Sequence, residues 1–285
     1  MFEKTGFLNA GGRLVDLSSP LVMGIVNATP DSFYAASRHQ SEAAIAARAE
    51  EMASQGADII DVGACSTRPG AVFPTEEEEA GRLRMALDVV RRTVPGMLLS
   101  VDTFRPRVAR MAVEECGAHI VNDVSGGTGH MADGLTPQGV GGLPDHSEMF
   151  ATVARWRVPY ILMSSKSNIA DMLLHFARCV EQLRALGQKD IVLDPGFGFG
   201  KSLEQNFSVL NQMERLHVLG LPVLAGLSRK SMIWKALNTT PQDALTGTTV
   251  LNTLALMKGA AILRVHDVKE ARQAVEMVKK VKSEE

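Results

Sequence analysis

Eight short, apolar, β-rich runs recur along the chain, and each stops at or beside a polar residue. They are LVMGIVN (21–27), ADIIDV (57–62), MLLSVD (97–102), HIVND (119–123), PYILMS (159–164), DIVLD (190–194), LPVLAGLS (221–228) and AAILRVH (260–266). Between them lie segments with apolar residues three and four apart, such as SEAAIAARAEEMASQG and DALTGTTVLNTLALMKG, often closed by glycine. That spacing is the pattern of amphipathic helices. Continuous apolar strands alternating with such helices require a parallel sheet covered on its outer face. Eight such units in 285 residues match an α/β (β/α)8 TIM barrel. A doubly wound sheet is the structural alternative.

Smaller signals fit the same plan. Residues 1–20 carry NAGG between two short alternating runs, a hairpin pattern that would plug the barrel's N-terminal end. Residues 21–285 then read as one barrel domain, with no linker of low complexity. Thr75 followed by Glu78 is a capping box, and the acidic run Glu76 to Glu79 suits the positive end of a helix dipole without any functional reading. Lys279, Lys280 and Lys282 suit the negative end of the last helix. The net charge of -2 offers no footprint for nucleic acid or an acidic membrane surface. Three cysteines, Cys65, Cys116 and Cys179, lie far apart without metal-type spacing. A reducing cytoplasm fits them, and no apolar run has the length of a signal peptide core or a membrane span.

The stretch DPGFGFGKS (194–202) invites comparison with a phosphate-binding loop. Such a loop needs a glycine five positions before the glycine of its Gly-Lys-Ser end, and that position is Pro195. The dinucleotide fingerprint fails as well, because Lys201 stands where its third glycine belongs.

In a barrel of this kind the strand ends supply the site. Here they carry Asn27, Asp61, Asp102, Asn122 with Asp123, Ser164, Asp194, the run Ser228-Arg229-Lys230-Ser231, and Arg264 with His266. Strand-end Asp and Asn also cap helices and form turns, and Asp61 in particular could brace a loop. Caps, however, do not call for arginines, a lysine and a histidine at neighbouring strand ends. Arg68, Arg264, His266 and the Asn27 amide suit a polyphosphate. Asp102 and Asp194 suit the amino and ring N–H edge of a flat heterocycle. No cluster has transition-metal spacing; a hard cation such as Mg2+, brought in by a polyphosphate, needs only one or two protein oxygens.

The motifs MGIVNATPDSF (23–33), STRPGA (66–71), SVDTF (100–104), VNDVSGG (121–127), LDPGFGFGKS (193–202), GLSRKS (226–231) and RVHDV (264–268) resemble, in order and spacing, those of the dihydropteroate synthase family of pterin-binding enzymes. The resemblance covers nearly the whole chain. It implies a cytoplasmic, homodimeric transferase of folate biosynthesis that joins 6-hydroxymethyl-7,8-dihydropterin diphosphate to 4-aminobenzoate, with sulfonamides as competitors. It further implies that Asp102, Asn122, Asp194 and Lys230 hold the pterin, and that Asn27, Arg68, Arg264 and His266 hold diphosphate, with Asn27 touching Mg2+. The aminobenzoate would lie near Phe33, Thr67, Pro69, Phe199 and Ser231. Catalytic roles fall to Asp31, Asp102, Asn122, Asp194 and Lys230.

Those residue types suit the chemistry that the resemblance implies. Loss of diphosphate leaves a cation spread into the electron-rich dihydropterin, and two buried carboxylates stabilise that charge as it develops. An arylamine is unprotonated at neutral pH, so the nucleophile needs positioning more than a base. Ser231, at a predicted helix start, suits the benzoate carboxylate. Phe199 offers a wall, and Lys201 either lines the pocket or faces solvent.

Four positions depart from the common family pattern. Tyr34-Ala-Ala-Ser37 replaces a glycine-containing acidic loop. Cys65 stands where glutamate is frequent, as either a reactive or a packed thiol. Ser164 occupies the place of a usual histidine, and residues 128–147 form a glycine-rich extension predicted to be a flexible loop. Two other activities compete: a pterin-dependent methyltransferase serving a corrinoid protein, which would not need SRKS and RVH, and a non-catalytic pterin-binding homologue.

Overall fold

The computed structural model describes residues 6–28, 35–65, 74–129, 131–132, 136–137 and 147–283, with the backbone alone given for 35–40, 131–132 and 136–137. The candidate residues Asp31, Phe33, Thr67, Arg68 and Pro69, the altered loop position Tyr34, and most of the 128–147 extension lie outside the residues whose side chains are described.

The chain opens with an antiparallel hairpin, β1 (Phe7–Ala10) and β2 (Arg13–Asp16). The barrel strands follow as β3 (Leu21–Asn27), β4 (Ile59–Gly63), β5 (Leu98–Asp102) and β6 (Ile120–Asp123). Within the extension two residue pairs form a small antiparallel ladder, β7 (Met131–Ala132) and β8 (Thr136–Pro137). The barrel resumes with β9 (Tyr160–Met163), β10 (Ile191–Asp194), β11 (Leu224–Ala225) and β12 (Ile262–Val265). The helices between and after these strands are α1 (Ala35–Ser54), α2 (Glu76–Thr93), α3 (Pro106–Glu114), α4 (Glu148–Trp156), α5 (Ile169–Ala185), α6 (Leu203–Asn211), α7 (Ser231–Ala236), α8 (Leu245–Met257) and α9 (Val268–Lys282).

The barrel sheet runs β10-β9-β6-β5-β4-β3-β12-β11 with every pair parallel. A bridge between Leu193 and Val223 brings β10 beside β11 and nearly closes the circle. All eight predicted strands are present. The run 221–228 contributes only two residues to the ladder, because Pro222 has no N–H to donate and the chain turns at Arg229, whose φ of 54° is left-handed.

Alternation along each strand divides the core in two. Met23, Ile59, Leu98, Ile120, Ile161, Val192, Leu224 and Ile262 point into the barrel, where Leu8, Ala10, Val15 and Leu17 of the hairpin segment close its lower end. Their neighbours Val22, Ile60, Leu99, Val121, Leu162, Leu193 and Leu263 point outward to the helices. Each such buried side chain contributes about 1.5–3 kcal/mol. Two residues above the inward apolar layer, at the C-terminal side, the same alternation turns Asp61, Ser100, Asn122, Asp194 and Arg264 into the barrel mouth.

Local chemistry fixes the helix starts. Thr75 and Glu78 form the predicted capping box on α2. Ser202 caps α6 in a second box with Gln205, so the serine of the Gly-Lys-Ser triplet serves the backbone of a helix rather than a phosphate. Glu79 departs from the dipole reading of its acidic run. It is fully buried, pairs with Arg105 and accepts from Thr103 Oγ1 at 2.5 Å. Arg105 also donates to the carbonyls of Pro74 (2.7 Å) and Thr75 (3.3 Å), tying the entry of α2 to the segment that follows Asp102.

Candidate active site

Asp102 ends β5 opposite Gly63 on one side and Asn122 on the other. A Cβ at Gly63 would lie 3.4 Å from Asp102 Oδ2, so glycine there leaves the carboxylate room. Arg264 projects from β12 into the same space. Its Nη2 donates to Asp102 Oδ2 at 2.6 Å and its Nε to Asp61 Oδ2 at 2.6 Å. Asp61 Oδ2 also accepts Asn122 Nδ2 at 3.0 Å. Asp61 is therefore no loop brace: fully buried in mid-strand, it binds one candidate heterocycle ligand and one candidate anion ligand. Its identity as a polar residue inside a strand, two positions beyond Ile59, was the signal for this.

Charge accumulates here in a dry setting. Burial pushes the Asp102 carboxyl up to about 7, against the opposing Arg264 charge and with Asp61 adding to the rise. Asp194, 7% exposed, is raised by burial too, although Gly196 N–H donates to its Oδ1 at 2.7 Å and Lys230 opposes the shift. Burial and the nearby Arg264 charge draw Lys230 down to about 8, while Asp194 and Asp102 pull the other way. For Arg264 burial works toward a lower value, but Asp61 and Asp102 outweigh it and hold the guanidinium charged. The cluster thus contains two cations facing three carboxylates, all beneath one rim.

Phe199 stands beside these groups. Lys230 Nζ lies 4.3 Å from the centre of its ring, a cation–π contact, and Phe199 packs with Val124 and Met163 as a separate apolar cluster at the barrel mouth. The loop that presents it is held tightly. Gly196 has φ of 62°, and a Cβ there would fall 2.5 Å from Ser164 O. Lys201 is half-buried and committed to the turn itself. Its Nζ donates to the carbonyls of Gly196 (2.9 Å), Ser164 (3.2 Å) and Phe199 (3.3 Å), and burial draws it down to about 7 with Asp194 opposing.

The remaining candidates spread around the rim. Asn27 is exposed at the end of β3. His266 follows β12, and burial together with the Arg264 charge lowers it to about 4, so it is neutral at physiological pH. Ser228 Oγ accepts the His266 backbone N–H at 3.1 Å and lies 3.0 Å from Nδ1. A hydroxyl that already accepts is free to turn its hydrogen toward Nδ1, which leaves Nε2–H as a donor to an anion. Ser231 is half-buried at the start of α7. Arg229, its neighbour in the motif, is committed elsewhere, in a two-point pair with Asp267 at 2.9 and 2.8 Å.

Parity separates Asn122 from Asp123. Asn122 turns inward, whereas Asp123 accepts from Tyr160 Oη (2.6 Å), Ser125 N (2.7 Å) and Gly127 N (2.8 Å) on the helix side. Gly127 O in turn accepts from Ser147 Oγ at 2.5 Å, so both ends of the 128–147 extension are fastened to the strand that carries Asn122. Cys65 is half-buried. Burial and the Glu79 charge raise it far above the ordinary thiol range, which disfavours the reactive thiolate. Among the described residues no group of three or more His, Cys, Asp or Glu side chains could hold a metal ion, and no helix is long and apolar enough to cross a membrane. A hollow of about 470 Å3 lies at the opposite end of the barrel between Arg13, Asp58 and Gly96.

Comparisons with known proteins identify relatives of this chain. A family model described as pterin binding enzyme matches residues 23–266. The dihydropteroate synthase of Escherichia coli K12 is 37% identical, with 95% of each chain covered. The Xanthomonas albilineans dihydropteroate synthase solved with 4-aminobenzoic acid superposes with a TM-score of 0.84 at 34% identity, covering 98% of this chain and 99% of the other. The same enzyme in complex with 7,8-dihydropteroate gives 0.81 at 34% identity, covering 97% and 99%.

Proposed function

The chain belongs to the pterin binding enzyme family and, within it, to the dihydropteroate synthases, and from that premise we propose how its own residues join a dihydropterin to an arylamine. The reaction condenses 6-hydroxymethyl-7,8-dihydropterin diphosphate with 4-aminobenzoate, giving 7,8-dihydropteroate and diphosphate. The observation that carries the reading is the convergence of Asp102, Asn122, Asp194, Lys230 and Arg264 at one barrel mouth, with Asp102 held by Arg264 at 2.6 Å.

Oxygen acceptors from Asp102, Asn122 and Asp194 receive the N–H edge of the pterin, and the Lys230 ammonium donates to its carbonyl side. Arg264 and neutral His266, with Asn27 and Arg68, take the diphosphate. The C–O bond to diphosphate breaks first, and the electron pair leaves with the phosphate oxygen. Asp102 and Asp194 stabilise the pterinylmethyl cation in a medium where charge is poorly screened. The aminobenzoate nitrogen, aligned against Phe199 and Ser231 together with Phe33, Thr67 and Pro69, then forms the C–N bond with its lone pair, and the ammonium so formed gives its proton to water. Asp31 joins this set by family resemblance.

Asn27 offers an amide oxygen, a hard donor suited to Mg2+ brought in on the diphosphate. When bound, Mg2+ would offset the charge on the leaving group. Sulfonamides would compete for the aminobenzoate position. A homodimer is supported by exposed apolar side chains on two packed helices, Val250, Leu254 and Met257 of α8 with Met277 and Val281 of α9. The free thiols of Cys65, Cys116 and Cys179 accord with the reducing cytoplasm.

A coupled diphosphate-release assay with both substrates and Mg2+ tests the reading. Release that depends on aminobenzoate and yields dihydropteroate is expected. Methyl transfer without release, or pterin binding with no product, would overturn it in favour of a methyltransferase or a non-catalytic binder.

A further inference from the structure

Asp61 makes no contact that the proposed reaction requires, yet it is fully buried at the centre of the site. Its Oδ2 accepts Asn122 Nδ2 at 3.0 Å and Arg264 Nε at 2.6 Å. Resting on the reading of this pocket as a dihydropterin diphosphate site, Asn122 belongs to the heterocycle half and Arg264 to the anion half. One oxygen atom of Asp61 therefore joins the two.

Two consequences follow from the donor inventory. Arg264 Nε can only donate, so Asp61 Oδ2 is an acceptor, and Asn122 must turn its amide nitrogen toward it. That leaves Asn122 Oδ1, which is buried and has no hydrogen-bond partner among the described residues, as the group offered to a ligand. Asp102, Asn122 and Asp194 then all present oxygen acceptors, and each needs an N–H of the ligand opposite it. The second consequence concerns Arg264, which spends Nε on Asp61 and Nη2 on Asp102. With Nε held, Nη2 can leave Asp102 for a phosphate oxygen without the guanidinium losing its place. An arriving anion thereby releases Asp102 for the heterocycle.

We infer that Asp61 is a positioning residue that fixes Asn122 as an acceptor and, through Arg264, couples pterin binding to diphosphate binding. Asp61→Asn keeps the shape but changes both relations. Its new amide nitrogen is a donor, which favours a turned-over Asn122 presenting NH2 to a donor edge, and Arg264 loses the charged pivot.

Calorimetry of 6-hydroxymethyl-7,8-dihydropterin binding, with and without pyrophosphate and Mg2+, tests the inference in the wild type and in Asp61→Asn. In the wild type pyrophosphate should tighten pterin binding by about fivefold or more, the usual scale of coupling between sites. In the variant that factor should fall to about one, with pterin binding weakened in addition. A variant that bound both ligands more weakly but kept the wild-type factor would show a mere brace and overturn the inference. Should the variant fail to fold by circular dichroism, a crystal structure of the wild type with pterin and pyrophosphate decides. Asp61 still holding Asn122 Nδ2 and Arg264 Nε, with Nη2 withdrawn from Asp102, supports the inference; an Asn122 amide nitrogen turned away from Asp61, or an Arg264 detached from Asp61, overturns it. Wild-type protein that bound neither ligand would overturn the functional reading and this inference with it, and would be told apart because the failure would precede any substitution.

Discussion

Arg264 Nη2 lies 2.6 Å from Asp102 Oδ2, an ion pair between strands that are adjacent neither in sequence nor in the sheet. It opposes the burial that raises the Asp102 carboxyl to about 7 and so favours the charged form. The charge is what the chemistry needs. Asp102→Asn and Asp194→Asn should keep the fold, since an amide retains the shape, yet lose turnover by about 10²–10³, the cost of removing one preorganised electrostatic contact. Steady-state kinetics beside a thermal melt checks this, and wild-type turnover in both variants would sink the pterin assignment.

The same cluster should set the pH range of the enzyme. Asp102 sits at about 7 and works ionised, so turnover falls as pH drops below about 7. Lys230 sits at about 8 and works protonated, so turnover falls as pH rises above about 8. A narrow bell in kcat/KM for the pterin substrate is expected, with limbs that belong to the coupled cluster. Asp102→Asn should abolish the acid limb and Lys230→Arg should move the basic limb upward. A flat profile from about pH 6 to about pH 9 would contradict the assignment of both groups.

Glu79, fully buried and paired with Arg105, should matter for stability. Glu79→Ala leaves a largely buried guanidinium without its counter-charge and strips Thr103 of its acceptor, a loss of about 3 kcal/mol or more. The melting temperature should fall clearly, while substitution of the exposed Glu77 should leave it almost unchanged. Equal melting of the two variants would argue that Glu79 is one more member of a solvated acidic turn.

Aminobenzoate should bind after the pterin diphosphate. Its proposed contacts Phe33, Thr67 and Pro69 share the segments 23–33 and 66–71 with Asn27 and Arg68, which have work to do only once the anion is present. Calorimetry should find weak binding of 4-aminobenzoate alone and much tighter binding with pyrophosphate, Mg2+ and pterin. By linkage, aminobenzoate should tighten the retention of diphosphate by the same factor. Equal affinity for free and loaded protein would mean that the aminobenzoate site is complete without the first substrate.

Most of the architecture was legible in order of residues. Apolar runs such as IIDV and LLSVD state their own parity: Ile59 and Leu98 point inward, so Asp61, Ser100 and Asp102 must as well, because successive side chains alternate across a strand. By the same count Asn122 faces the pocket and Asp123 the helices. Capping boxes at Thr75 and Ser202 are local too, since a helix start is decided within four residues. These features depend on backbone periodicity and on near neighbours, which a sequence carries directly.

Pairing across the barrel could not be read in that way. Arg264 and Asp61 lie 203 positions apart, and nothing local to either says that one oxygen of Asp61 will serve both Arg264 and Asn122. Lys201 looked like a pocket residue or a surface one until loop closure brought three carbonyls around its ammonium. Glu79 looked like its three acidic neighbours until helix docking buried it against Arg105 and Thr103. Strand parity and helix capping are properties of the chain, whereas partner choice among charged groups depends on which ones the closed barrel brings together out of water, where each must find a counter-charge or a hydrogen bond.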